Sequence, residues 1–533
     1  MNLKSLWILV LACVATTLSA QKKPLDQSAY DGWKSIVSPK VSENGDWICY
    51  AIAPQRGDAL LEFYNAGTKQ TTRIERGGSP AWFNNDTWAT FKIAVPFAKV
   101  RQAKIDKVKA DKMPKDTFAV MNLAEMKVVK LPGAKELKTS AKGTLYAYTY
   151  EVTPVKDTTA KDSAAKGNKT PGKYDRLVVV DVRTGDSTIV DSVKNFTVAE
   201  NGRSVLYTRE ADSLKAVYVY TVDPKRGVLQ RELWSSKLGA VSPSLVLDRS
   251  GEQGAFLVTA DTVKHALYDL YYFSTTDLKP RQVADAQIIG LPGGYAVSRF
   301  GNLSFNHEGN RLQFGIAPKP KEVPKDTLPA DEKFSLDVWS YRDTMLMPTQ
   351  LVNKKKIEEA SYPAVYFPKE NRAVALGDKD LPSVSFAENG DAPYAVGTTQ
   401  LPYSLYTEPE IQMFNPSDAY LIDLKTGKRT LLRKKGYGGM YLSPSAKYAA
   451  YYNLPDSSWY SIDTKTLKHT RLTADIPYPL YNVDDDHPGT PPLYGMYGWT
   501  KGDEMMLIPD QFDLWLVDPS GKTASRNLTK IGR

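Results

Sequence analysis

Val41-Ser42-Glu43-Asn44-Gly45-Asp46-Trp47-Ile48-Cys49-Tyr50 joins a polar tight turn to the start of an apolar strand. The same reading returns at Val198-Ala199-Glu200-Asn201-Gly202-Arg203-Ser204-Val205-Leu206-Tyr207 and at Leu442-Ser443-Pro444-Ser445-Ala446-Lys447-Tyr448-Ala449-Ala450-Tyr451. Partner strands closing on a second polar turn read Leu177-Val178-Val179-Val180-Asp181-Val182-Arg183-Thr184-Gly185 and Tyr420-Leu421-Ile422-Asp423-Leu424-Lys425-Thr426-Gly427-Lys428, with a weaker copy at Leu514 to Lys522. Asn-Gly pairs supply the positive φ of a tight hairpin, and the flanking Val, Ile, Tyr and Leu present apolar faces to neighbouring sheets. A hairpin of this size cannot bury its apolar face alone, so repeated copies must stack on one another. The expected fold is therefore all-β, a β-propeller of about seven to nine repeats of WD40-like or TolB-like kind.

Outward from these turns, blades are expected to begin near Val41, Ala81, Leu137, Phe196, Leu245, Leu303, Val384, Tyr441 and Tyr497. This divides the chain into residues 1–20, an N-terminal segment 21–40, and a propeller over 41–533, with the last repeat read as an appendage or the start of a further blade series. No stretch of helix periodicity rises above the strand signal. The 533 residues exceed one ordinary core, a limit that repeats escape because each needs only its neighbours.

Residues 1–20 read as a secretory signal: Lys4, an apolar run Leu6 to Val14, and Leu18-Ser19-Ala20 before Gln21. The run is too short for a bilayer anchor. An exported chain, periplasmic or extracellular, is expected, with mature Gln21 as its first residue; the competing reading takes Val10-Leu11-Ala12-Cys13 as a lipoprotein box with lipidated Cys13. Cys49 is the second of the two cysteines and lies in an expected strand, as a small buried hydrophobe.

Much of the lysine behind the net charge of +9 sits in three segments, Lys99 to Lys115, Lys156 to Lys173 and Lys319 to Lys333, where it alternates with Asp, Pro, Thr and Ala. No aromatic-basic platform accompanies them, so they read as solvated insertions and no nucleic-acid partner is assigned. The second should be the first cut by trypsin.

Chemistry was sought in motifs. No Gly-x-Ser-x-Gly elbow occurs; Gly77-Gly78-Ser79-Pro80-Ala81, Gly185-Asp186-Ser187 and Gly202-Arg203-Ser204 fail at the closing glycine. His265, His307, His469 and His487 show no metal spacing. Asp484-Asp485-Asp486-His487, in the Pro-rich stretch Tyr478 to Pro492, reads as a solvated acidic loop without the glycine and terminal glutamate of a calcium loop. Gly436-Tyr437-Gly438-Gly439 reads as a blade connection, since a strand follows it. The sequence reading accordingly assigns no catalytic residue, no cofactor and no metal.

Four stretches carry a family resemblance: Lys23-Pro24-Leu25-Asp26-Gln27-Ser28-Ala29-Tyr30-Asp31-Gly32-Trp33-Lys34, Asp337-Val338-Trp339-Ser340-Tyr341, Leu376-Gly377-Asp378-Lys379-Asp380-Leu381-Pro382, and Pro491-Pro492-Leu493-Tyr494-Gly495-Met496-Tyr497-Gly498-Trp499-Thr500. From about Lys22 onward the chain resembles the amino-terminal propeller region of secreted S9 (prolyl oligopeptidase family) serine peptidases of Bacteroidetes type. In that family an α/β-hydrolase domain carrying the Ser, Asp and His triad follows the propeller, which limits access to small peptides. This sequence departs from the pattern at Ile531-Gly532-Arg533, before any such domain, so no catalytic residue carries over. The resemblance implies a non-catalytic, substrate-gating propeller that is inactive alone, with a peptide substrate or a hydrolase domain or protein as partner. The alternative expectation is a self-standing periplasmic or surface propeller that binds a peptide, glycan or protein.

Overall fold

The computed structural model describes residues 26–154, 172–223, 227–262, 267–283, 285–320, 327–329, 331–334, 336–406 and 415–532. The expected signal region, Cys13, His265 and residues 156–171 of the second basic insertion lie outside them. The fold is nearly all β and is that of a β-propeller. Among the described residues nine sheets form, eight of them four-stranded, and each is drawn from one stretch of the chain without interleaving another sheet. No helix among the described residues is long and apolar enough to cross a membrane.

The chain divides into two compact units, Met1–Lys173 with Val179–Asp186 and Tyr174–Val178 with Ser187–Arg533. In the first, the sheet opened by Lys34–Val41 packs Cys49, Leu61 and Phe63 on Phe91 and Met121 of the sheet opened by Gly77–Phe83. That second sheet gives Phe83 and Val120 to a cluster with Tyr146 of the third. In the second unit, sheets opened by Val193–Val198, Ala240–Leu247, Ser383–Phe386, Met440–Leu442 and Gly498–Trp499 flank one irregular six-stranded sheet. In that sheet both Tyr295–Ser298 and Ser304–Phe305 pair with Leu312–Pro318, and Ile288–Ile289 adds a parallel edge to Arg372–Ala375. Clusters again join successive sheets, as Leu257 and Tyr272 join Phe314 and Tyr366.

Middle strands such as Gln253–Thr259 and Tyr448–Asn453 are buried almost throughout, which is why they read as continuous apolar runs instead of alternating ones. The strand Lys34–Val41 is exposed along its length and carries Pro39 at a register shift between Val37 and Lys40, where Ser38 adopts φ 52°. An exposed, bulged strand has no apolar alternation to find, so the reading from sequence left most of it in the segment 21–40.

Four copies of the recurrent turn share one mechanism, while the copy at Ala199 keeps only its backbone bond, Ala199 N–H to Ser204 O (2.9 Å). In those four the first residue donates N–H to the carbonyl five residues on, and its short polar side chain accepts that residue's N–H. The pairs are Ser42 and Trp47 (2.8 and 2.9 Å), Ser443 and Tyr448 (2.8 and 3.0 Å), Thr500 and Met505 (2.9 and 2.9 Å), with Asn306 doing the same for Arg311 through Oδ1 (2.8 Å). The fourth position is left-handed: Gly45 at φ 76°, Gly309 at 69°, Ala446 at 55° and Asp503 at 58°. Within each unit the turns also stitch to the next sheet. Glu43 N–H donates to Asp86 Oδ2 (2.6 Å), Glu308 N–H to Asp391 Oδ1 (3.0 Å) and Ser443 Oγ to Asp503 Oδ2 (2.6 Å).

In the last repeat Gly498–Trp499, Met506–Pro509, Leu514–Val517 and Arg526–Asn527 make a complete sheet, and its Met506, Ile508 and Trp515 pack on Ala450, Tyr452 and Trp459 of the sheet before it. One expectation is corrected. The segment Lys99 to Lys115 is not an extended loop, since Phe97–Ile105 is helical. Ala, Lys, Arg and Gln favour that state, and only Ala103 is buried, so the segment is solvated as expected but regular. A longer helix, Met347–Glu358, carries Pro348 in its first turn and buries none of its residues, leaving no periodic apolar stripe to read.

The last sheet is pinned by Asp513, which is 5 % exposed and accepts from Thr529 Oγ1 (2.7 Å), Asn527 Nδ2 (3.0 Å) and the Gly532 N–H (3.1 Å). The Thr529 and Asn527 bonds hold its carboxyl down at about 2, against an ordinary 3.8. A carboxyl depressed in the folded state contributes stability that is complete above its unfolded value and is lost as pH falls through the folded one. The Asp513→Asn variant should therefore melt below the parent at neutral pH, with the gap closing between about pH 4 and 2. Melting curves across that window check this; a gap independent of pH would refute it.

Candidate functional site

The strand Ser383–Phe386 pairs antiparallel with Tyr394–Thr399, setting Ser383 opposite Thr398 and Ser385 opposite Val396. Alternate residues of a strand share a face, so Ser383, Ser385, Val396 and Thr398 form one surface, extended by Gln400. This face bounds an open cavity of about 1350 Å3 that lies wholly in the second unit. Met440 and Tyr441, from the opening strand of the next sheet, form a second wall, and Met496 and Trp499 of the last sheet a third. Thr349, Asn353 and Lys356 of the helix Met347–Glu358 close the fourth side.

Two devices hold these walls. Tyr403, in the 3-10 turn Leu401–Tyr406 beside the cavity, donates its hydroxyl to Asp418 Oδ1 (2.6 Å), which also accepts Lys435 N–H (2.8 Å). That bond to a carboxylate pushes the Tyr403 phenol up to about 12. Arg433 lies 4.6 Å over the Tyr451 ring and donates to Gly438 O (3.1 Å). The run Gly436-Tyr437-Gly438-Gly439 makes room for both: a Cβ on Gly436 would strike the Arg433 guanidinium, and one on Gly439 would lie 2.7 Å from the Tyr441 ring. The run connects the strands Arg429–Gly436 and Met440–Leu442, with Gly438 at φ 76°.

The three described histidines, His307, His469 and His487, are not brought together. His469 Nδ1 shares a hydrogen bond with Tyr451 Oη (3.0 Å), and burial lowers its affinity for a proton. His307 faces Asp391 at 3.8 Å. His487 pairs with Asp485 (2.9 Å) and Asp486 (3.7 Å), while Asp484 accepts Gln511 Nε2 (2.7 Å). Ligand atoms of Asp485, Asp486 and His487 lie within 4.8 Å of one another, and His487 is largely exposed. The three Gly-Ser strings lie in strands or their turns, at Gly77–Phe83, before Ser187–Val190 and before Ser204–Ala211, and none opens a helix. Cys49 is fully buried, and burial pushes its thiol up to about 11.

The cavity residues were missed by motif reading because they form no motif. Their signal was Ser383-x-Ser385, two polar residues alternating with the apolar Val384 and Phe386, and Thr398-x-Gln400 on the same face of the paired strand and just past its end.

No protein-family model matches the chain. No curated protein matches it either. Among solved structures it is similar to an acylaminoacyl peptidase complexed with Z-Gly-Gly-Phe-chloromethyl ketone, at 9% identity and TM-score 0.32, over 82% of this chain and 59% of that one. It is also similar to the β-propeller domain of the Trilobed protease from Pyrococcus furiosus (12% identity, TM-score 0.31, 74% of this chain and 96% of that). A eukaryotic initiation factor gives 11% identity and TM-score 0.41, over 86% of this chain and 92% of that. The chain thus spans about three fifths of the acylaminoacyl peptidase chain.

Proposed function

We propose that this chain is the non-catalytic, peptide-admitting propeller portion of an exported peptidase of the S9 type. The observation that carries the proposal is the cavity of about 1350 Å3, larger than the ~300–1,000 Å3 of ordinary small-molecule sites. Its walls alternate neutral hydrogen-bonding groups (Ser383, Ser385, Thr398, Gln400) with broad apolar ones (Tyr441, Trp499). An extended peptide presents that alternation, with main-chain N–H and C=O groups at every residue and side chains between them. The S9-like stretches around Asp337, Leu376 and Pro491 add to this reading; Lys379, Pro382, Met496 and Trp499 from the last two line the cavity.

Acyl transfer requires a nucleophile with a base in reach and preorganised oxyanion donors. Expected of the purified chain is saturable binding of an uncharged Ala-Ala-Pro-Ala-Ala pentapeptide by calorimetry, with no release of fluorophore from Xaa-Pro or Ala-Ala substrates and no labelling by a fluorophosphonate. The Ser385→Trp variant, which fills the cavity from an exposed position, should bind at least about tenfold more weakly, a loss of ~1.4 kcal/mol. Undiminished binding by that variant, or turnover above a heat-treated control, would refute the proposal.

A further inference from the structure

The cavity lining is unbalanced in charge. Among the described residues its charged members are Lys356 and Lys379, and no aspartate or glutamate lines it. Neither lysine takes part in any of the ion pairs found among the described residues. Two carboxylates near these walls, Asp378 and Asp418, are already engaged. Asp378, next to Lys379, is held by Arg429 (3.0 Å) and by the N–H groups of Asp380 (2.9 Å) and Leu381 (3.0 Å). Asp418, next to the lining residue Ser417, is taken by Tyr403 and by Lys435 N–H. The helix that carries Lys356 lies along the cavity, lining it from Thr349 near its start to Lys356 and Ile357 in its last turn.

We infer that the cavity selects peptides that carry a carboxylate, bound between Lys356 and Lys379 with hydroxyl and amide donors beside it. The inference rests on the peptide reading proposed above and sharpens it from any peptide to an anionic one. Two cations facing a concave wall of low polarisability focus a positive potential there, which a carboxylate lowers and an ammonium raises. Charge-assisted hydrogen bonds from Lys Nζ to a carboxylate are the shorter and stronger kind. Two uses of the site differ in where the carboxylate sits, at the peptide C-terminus or on a Glu side chain.

The test compares four otherwise identical pentapeptides by calorimetry at low and at physiological salt: a neutral C-terminal amide, the free acid, an amide with an internal Glu, and an amide with an internal Lys. At low salt, one or both anionic peptides should bind about tenfold tighter than the neutral one, as two ion pairs of up to ~1 kcal/mol each allow. The Lys peptide should bind weakest, and the advantage should shrink with added salt. Whichever of the free acid and the Glu peptide gains more identifies the source of the carboxylate. In the Lys356→Ala, Lys379→Ala double variant the ratio of anionic to neutral binding should fall to about one; both lysines are exposed, so the fold is not at stake. Equal binding of neutral and anionic peptides would overturn the inference and leave the peptide reading standing. An anionic advantage that survives in the double variant would likewise overturn it, and failure of all four to bind would overturn both.

Discussion

Replacing Asp503 by alanine is expected to lower stability by about 3 kcal/mol, because hydrogen bonds to a charged acceptor contribute ~1.5–3 kcal/mol each and do not add fully. Asp503 is 1 % exposed, accepts from Ser443 Oγ (2.6 Å) and Ser445 N–H (3.2 Å), and is also bonded by the Ser445 hydroxyl. Its loss leaves the fully buried Ser443 hydroxyl without an acceptor, and unlocks the turn of one sheet from the turn of the next. The Asp503→Asn variant should lose much less, since Asn tolerates the left-handed φ of 58° and keeps an amide oxygen for one bond. Because stacked repeats hold through their neighbours, exchange of the amides in Met506–Pro509 and Leu514–Val517 should quicken before the rest of the chain. Unchanged exchange in these strands, with an unchanged melting temperature, would show that the turn-to-turn bonds are ornamental.

Trp459→Ala should cost about 4 kcal/mol, within the ~3–5 kcal/mol found when large aromatic side chains are cut back in a core. Trp459 is 1 % exposed and joins Ala450 and Tyr452 of its own sheet to Met506, Ile508 and Trp515 of the last. Its ring also lies 6.2 Å from that of Tyr441, on the cavity wall, so the vacancy should loosen Tyr441 and weaken peptide binding together with the fold. Trp459→Phe should cost far less, because it keeps an aromatic ring and removes a buried indole N–H that has no hydrogen-bond partner. Denaturant unfolding of both variants separates these outcomes; comparable losses for Phe and Ala would mean that the ring contacts contribute little.

The fold was legible where local chemistry repeats. Ser42 to Gly45 and Ser443 to Ala446 announce a turn because one short polar side chain closes it and one residue turns left-handed, and both requirements are written in residue types. The strand Lys34–Val41 and the helix Met347–Glu358 were not legible, since neither buries an apolar face that would leave a period in the sequence. The cavity was legible only afterwards. Ser383, Tyr441 and Trp499 come from three sheets opened at Ser383, Met440 and Gly498, and their convergence is a property of stacking that no local window contains.

Photocrosslinking tests the central claim most directly. A free-acid pentapeptide carrying a benzophenone side chain at its middle residue, irradiated with the full chain and mapped by mass spectrometry, should attach to the face Ser383–Phe386 and to Met440, Tyr441 or Trp499. An excess of unlabelled peptide should suppress that attachment. Adducts confined to other surfaces, such as the exposed Leu336, Val338, Trp339 and Tyr341, or attachment that competitor leaves unchanged, would contradict the account.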